Sequence, residues 1–320
     1  MTRSKPLSRW TFPGLAVLLA WAWWLVARVH GTGPKGSEAP LLWAGLAVWC
    51  GLFWFVLDGL ARLERPRPAR LVAPALLGAG ILFLWEVLVL GWEVPKVMLP
   101  APAQVAVALV ARWEVLWPDF LQTARAVLAG WAAGCSAGFA MALVADRFDF
   151  LRRGLLPLGG LAGAVPIVGI APIMVMWFGF DWQSKAAVVV IMTFFPMLVS
   201  ASAGLSSAGA MERDLMKTYG ADYWQTLLKL RLPAALPFIF NALKINTTLA
   251  MIGAIVAEFF GTPTVGMGFR ISTEVGHLGI DMVWATILVA ALTGSLFYAL
   301  VAWIERRATF WHASFRRKEA

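Results

Sequence analysis

Residues 217–237 read KTYGADYWQTLLKLRLPAALP and lie between two strongly apolar runs. The seven charged residues of this neighbourhood are Glu212, Arg213, Asp214, Lys217, Asp222, Lys229 and Arg231. Each would cost about 3 kcal/mol at mid-membrane, so the segment belongs in water, on a surface or against a partner. Leu215, Tyr219, Tyr223, Leu227 and Leu230 are spaced by four, four, four and three, which makes one apolar helical stripe. Gly220 interrupts it, and a glycine there can take the left-handed conformation that closes a helix. Asp222 is then placed to cap a second helix, with Gln225 three residues on in the capping-box position. Pro233 predicts the end of that helix, and Pro237 the start of the next apolar run. The expectation is two short helices meeting at an exposed glycine on the cytoplasmic surface. An amphipathic helix resting on lipid headgroups accounts for the stripe but not for the interruption, the cap or the proline exit.

The rest of the chain explains why such a segment stands out. Of 320 residues 60% are hydrophobic and 14% charged, with mean hydropathy +0.73. Apolar runs of about 20 residues recur along the whole length, the pattern of an all-α integral membrane protein. The net charge of +9 therefore reads as a topology signal, and no nucleic-acid partner is expected. Cys50 and Cys135 lie far apart in apolar runs and do not suggest a disulfide framework. His30, His277 and His312 share no metal-ligand spacing.

About eight transmembrane helices are predicted, over 11–29, 41–61, 71–91, 120–144, 155–178, 185–205, 237–260 and 283–304. The N-terminus has the basic start of a signal peptide. It lacks a small-x-small cleavage site, however, and carries Trp21, Trp23 and Trp24, so the first span is read as uncleaved. With both termini cytoplasmic, the cytoplasmic segments hold most of the cations. They include Arg3, Lys5 and Arg9; Arg62 to Arg70; Arg147, Arg152 and Arg153; Lys217 to Arg231; and Arg306 to Lys318. The opposite side holds few: Arg28, Lys35, Lys96, Arg112, Lys185 and Arg270. ERPRPAR, 64–70, reads as a short stiff linker between an N-terminal extension with two spans (1–64) and a core (65–310). A basic cytoplasmic tail (311–320) follows. Residues after Pro100 and Pro102 begin like a surface helix.

No phosphate-binding loop, G-x-S-x-G, H-E-x-x-H or Cys/His cluster occurs, so no catalytic residue, metal ligand or bound cofactor is expected on this chain. Ionisable residues within spans are few: Glu86, Arg125, Lys244 and Glu258. Their sparseness argues against a stand-alone secondary transporter, the main rival reading. A membrane enzyme would need polar residues clustered at one face, and none is apparent. Lys244 and Arg125 read as anchors that snorkel. Glu258 either lines a water-filled path or caps a neighbouring helix.

Gly220, nine residues, then Leu230-Arg231-Leu232-Pro233 resembles the G-x9-I-x-L-P end of the EAA signature. That signature marks permease subunits of bacterial ABC importers with the type I fold. VMLPAPAQV (97–105), VPIVGIAPIMVMWFGF (165–180), FFPMLVSASAGL (194–205), RLPAALPFIFNALKI (231–245) and VAEFFGTPTVGMGF (256–269) are similar, in order and spacing, to the nitrate/sulfonate/taurine branch. The resemblance covers about 71–310, leaving the first two spans outside a six-helix permease core. Asp214-Leu215-Met216 departs from the family's Glu-Ala-Ala, keeping the carboxylate but replacing two small residues.

The resemblance implies that 212–232 forms coupling helices docking on a separate ATPase, with Asp214, Tyr219, Gly220, Ala221, Asp222, Trp224, Leu230 and Pro233 as contact or shaping residues. It also makes Pro166, Met174, Trp177, Phe194, Phe195 and Glu258 candidates for the translocation path. Helix packing is the alternative for each of these. The implied partners are two ABC ATPase subunits carrying ATP and Mg, a second copy of this permease, a solute-binding protein and membrane lipid, in the bacterial cytoplasmic membrane. The implied solutes are sulfonate, taurine, nitrate or a similar small anion, with a pyrimidine vitamin precursor or aromatic compound as the alternative.

Overall fold

The computed structural model describes residues 8–31, 35–61, 72–162, 166–261 and 264–310. The linker 64–70 and the tail 311–320 lie outside the described residues. Among these residues the secondary structure is entirely helical. In chain order the helices are α1 (Ser8–His30), α2 (Pro40–Ala61), α3 (Val72–Gly91), α4 (Pro102–Ala111) and α5 (Trp113–Arg147). They continue with α6 (Asp149–Ala162), α7 (Ile167–Phe178), α8 (Trp182–Ser206), α9 (Ala210–Thr218) and α10 (Tyr223–Thr226). A π turn, Leu227–Arg231, leads into α11 (Leu232–Glu258), and α12 (Met267–Gly276) and α13 (Ile280–Ala308) complete the chain.

Six of these segments are long and apolar enough to cross a membrane: Pro40–Leu60, Val72–Gly91, Trp113–Arg147, Trp182–Ser206, Tyr223–Glu258 and Ile280–Ala308. Gly14–His30 and Ile167–Phe178 are apolar but shorter. Most of the apolar length of α13 is left uncovered by the rest of the protein. Such a surface is soluble in hydrocarbon and not in water.

The predicted single span 155–178 is two helices, α6 and α7, with Pro166 extended at φ −69°, ψ 118° as the cap of α7. The extended ψ of Pro166 takes the backbone out of helical geometry, and its ring has no N–H to carry a helical bond across the break, whereas Pro157 and Pro172 are accommodated inside α6 and α7. Helix α12 was not anticipated: MGFRISTEVG is too short and polar to read as a span. The surface helix expected after Pro102 is α4.

Two compact units are formed. The first comprises the described residues within Met1–Ala111 and Leu278–Ala285. In it Trp49 stacks on Phe53 with centroids 4.7 Å apart and meets Phe83 at 4.5 Å, joining α2 to α3. Glu86 Oε2 accepts from the N–H of Ala103, 3.0 Å away, and so caps α4. The second unit comprises those within Arg112–His277 and Thr286–Ala320. Its centre is α8, lying between α5 and α11. Gly130, Gly134 and Gly138 form one small-residue stripe on α5, and a Cβ added to them would collide with Ala186, Thr193 and Phe194 of α8. Gly204 lets α8 approach Ala235 and Phe238 of α11 in the same way. Asn246 on α11 donates to the carbonyl of Thr193 at 2.9 Å and to Cys135 Sγ at 3.1 Å, tying the three helices together.

Candidate functional site

Residues 210–226, which follow the end of α8, fold as the two helices α9 and α10 around Gly220. No residue of α9 is buried. Met211 is 79% and Tyr219 80% exposed, which is surface that a helix serving only as core support would hide. The helix closes with a Schellman pair: the N–H of Gly220 donates to Lys217 O (2.9 Å) and that of Ala221 to Met216 O (3.0 Å). Gly220 has φ +68°, and a Cβ placed on it would meet nothing within 4 Å. Asp222 Oδ1 accepts from the N–H of Gln225 at 2.6 Å, while Gln225 Oε1 accepts from the N–H of Asp222 at 3.2 Å. The capping box is thus complete, in the place the sequence spacing predicts. Asp214 pairs with Lys217 at 3.1 Å on the open face, and Trp224 is 64% exposed.

Pro233 does not end the second helix. The chain continues from α10 through the π turn into α11, with Pro233 in its first turn and Pro237 inside it. Pro233 has no N–H to donate back into the π turn, but the i to i−4 ladder is already interrupted there, so it costs less than a proline within a regular helix. Leu230 lies half-buried within the π turn.

Below the exposed turn the segment is held tightly. Leu227 is buried in one cluster with Leu198, Leu205 and Ala235. The Tyr223 hydroxyl donates to Asp146 Oδ2 at 2.9 Å. Arg231 donates to both oxygens of the same carboxylate, at 2.8 and 2.5 Å, and its Nε donates to Leu205 O at 3.0 Å. Arg147 lies over the Tyr223 ring, 5.2 Å from its centroid. Lys244 and Glu305 pair at 2.7 Å, so Lys244 joins α11 to α13.

At the far ends of α5 and α11 a second buried cluster surrounds Glu258. Its Oε1 accepts from the Thr123 hydroxyl at 2.7 Å and its Oε2 from the N–H of Gly268 at 2.6 Å. Asp119 accepts from the N–H of Gly266 at 2.8 Å and from Arg270 Nε at 2.7 Å. Lys185 donates to Phe180 O and Gly261 O. Asp181, just outside α8, is held below the usual carboxylate range by the amide of Gln122, 2.8 Å away, and by the N–H of Trp182.

The residues expected along the path are not gathered in one place. Pro166 is exposed ahead of α7. Buried Met174 and 71%-exposed Trp177 line an open apolar groove of about 670 Å3 with Ala129, Ala133, Trp182 and Val190. Phe194 and Phe195 meet edge to face at 5.0 Å, half-buried against the cluster that contains Leu198 and Cys135. Glu258 caps the start of α12 and borders a separate cleft of about 490 Å3. Among the described residues no group of three or more His, Cys, Asp or Glu is arranged to hold a metal. Sequence reasoning missed Asp146, Asp119 and Thr123; the signal was a carboxylate at each end of an apolar run.

Residues 134–310 match the family described as binding-protein-dependent transport system inner membrane component. A formylaminopyrimidine transport permease protein, ThiX, of Halalkalibacterium halodurans is 30% identical over 249 residues, covering 77% of this chain and 98% of that protein. A probable ABC transporter permease protein of Haemophilus influenzae is 29% identical over 238 residues, covering 74% and 97%. The taurine transport system permease protein TauC of Escherichia coli is 29% identical over 246 residues, covering 73% and 87%.

Proposed function

This chain belongs to the binding-protein-dependent transport inner-membrane family, as a multi-pass ABC importer permease of the sulfonate/taurine branch, and we propose that it carries a small anionic solute inward. The solute class is a sulfonate, taurine, nitrate or a similar small anion, handed over by a binding protein on the outer side. Import of a pyrimidine vitamin precursor is the second reading, favoured by the likeness to ThiX.

The observation that carries the proposal is the rigid, exposed Gly220 turn on a chain without a phosphate-binding loop of its own. The driving force then comes from a separate ATPase, and this subunit is non-catalytic. Two copies of the permease would engage two ATPases. Closure of the ATPase pair on ATP would draw the two Gly220 turns together, tilt the spans and open the path outward; hydrolysis would reverse it. Asp214, Tyr219, Ala221 and Trp224 offer the contact surface, and Gly220, Asp222, Leu230 and Pro233 shape it. The groove at Met174 and Trp177 and the aromatic pair Phe194–Phe195 are the path residues. Both termini are cytoplasmic in this reading, following the cations of the loops.

The test is purification of the tagged full chain in mild detergent with mass spectrometry of what accompanies it. An ATPase at one per permease, with uptake of labelled taurine or formylaminopyrimidine into vesicles only when ATP is present, is the expected result. A homo-oligomer without ATPase, transporting without ATP, would overturn the proposal in favour of a secondary carrier.

A further inference from the structure

The backbone joining the ATPase-facing turn to the membrane core passes through the π turn Leu227–Arg231. A π turn interrupts the i to i−4 ladder, and such turns are wide and locally pliable. A push on α9 and α10 would be dissipated there unless something spans the turn. Asp146 spans it. Its carboxylate binds Tyr223, ahead of the π turn, and Arg231, the last residue of that turn. The side chains of Asp146 and Arg231 are 7% and 15% exposed, so the pair is shielded from water and weakly screened. Arg231 also holds Leu205 O near the end of α8, and Asp146 stands at the end of α5. Helix α5 runs from there to Thr123, which binds Glu258 at the opposite end of α11. One carboxylate therefore closes a frame made of the docking segment, α5, α8 and α11.

We propose that Asp146 is the positioning residue that couples the Gly220 turn to the core, by bracing the π turn between Tyr223 and Arg231 so that movement of the docked segment reaches the far ends of α5 and α11. The inference rests on the reading of 210–226 as the ATPase-facing segment. Removing both charges together separates coupling from stability. A lone buried charge destabilises, whereas deleting both partners is close to neutral.

The experiment uses the full chain assembled with its ATPase in nanodiscs, in a Cys50→Ser background, since Cys135 is buried. Spin labels are placed at Lys217→Cys, beside the turn, or at Thr264→Cys, near Gln122 at the far end. Pulsed EPR reads the distance between copies before and after trapping with ADP and vanadate. With the natural pair, both positions shift. In Asp146→Asn/Arg231→Gln the shift at 217 persists and that at 264 falls by at least half; Tyr223→Phe moves the 264 shift in the same direction. Unchanged shifts at 264 in the double variant overturn the brace and leave the docking reading intact. No shift at 217 with the natural pair overturns the docking reading itself. Where the double variant does not assemble, Tyr223→Phe decides, and a full shift at 264 in that variant overturns the brace.

Discussion

Thr123 on α5 and Glu258 on α11 meet at 2.7 Å, hydroxyl to carboxylate, at the end of the core opposite Asp146 and Arg231. The two contacts pin both ends of one helix pair. Glu258 is 1% exposed and its other oxygen accepts from the N–H of Gly268, so its loss leaves that buried donor on α12 unpaired, while the Thr123 hydroxyl keeps the carbonyl of Asp119, 3.1 Å away. Glu258→Ala is expected to lower stability by about 2–5 kcal/mol, the cost of an unsatisfied buried group plus the lost packing. Glu258→Gln, which keeps an acceptor, should lose less than half of that. Thermal unfolding in detergent followed by tryptophan fluorescence reads both. Equal melting temperatures for Glu258→Ala and the natural chain would show that α12 is held by other contacts.

Gly220 offers a cleaner separation of fold from docking. Its positive φ means that Gly220→Val strains the turn by about 1–2 kcal/mol, whereas Gly220→Asn is tolerated in that conformation. A Cβ added there meets nothing of this chain within 4 Å. Loss of ATP-driven uptake in Gly220→Asn, with normal membrane insertion, therefore reports a clash with the docked ATPase. Full uptake in both variants would remove this turn from the interface.

These contrasts also mark what was legible in the sequence. The Gly220 closure and the Asp222–Gln225 cap depend on residues within five positions of one another, and local chemistry decides them. The spans were visible because 20 apolar residues have few other uses. The path through Pro233 was misread, since a proline near a helix start and one at a helix end look alike until the neighbouring π turn is known. The bonds of Asp146 to Arg231 and of Thr123 to Glu258 join residues 85 and 135 positions apart, and nothing local announces such partners. Most candidate path residues had only the resemblance behind them, and an apolar side chain in a membrane helix looks the same whether it faces a partner helix, lipid or a pore.

The stripe Gly130, Gly134 and Gly138 predicts a steep size dependence. A Cβ at Gly134 would overlap the Thr193 hydroxyl and come within 2.8 Å of Val190 O, which is rigid helix backbone. Gly134→Ala is expected to push α5 from α8 and cost about 1–3 kcal/mol. Gly154→Ala, where a Cβ meets nothing within 4 Å, should change little. The measurement is the melting temperature of both variants side by side. Comparable values would mean that α5 can slide along α8 without loss.

The first 64 residues give a prediction specific to a membrane protein. Helices α1 and α2 bury Leu25, Leu42, Trp49 and Val56 in one cluster with Val87 of α3. In water, stripping them away would expose an apolar face and unfold α3. In a bilayer, lipid tails cover the same face, so only the close packing is lost, including the fit of Phe53 against Gly80. The chain lacking 1–64 should therefore insert and still bind its ATPase, with a melting temperature lower by about 2–4 °C for each kcal/mol of packing removed. Membrane fractionation and co-purification of the shortened chain test this. Failure to insert would make the N-terminal pair a part of the folding core, and an unchanged melting temperature would mean that lipid replaces its packing completely.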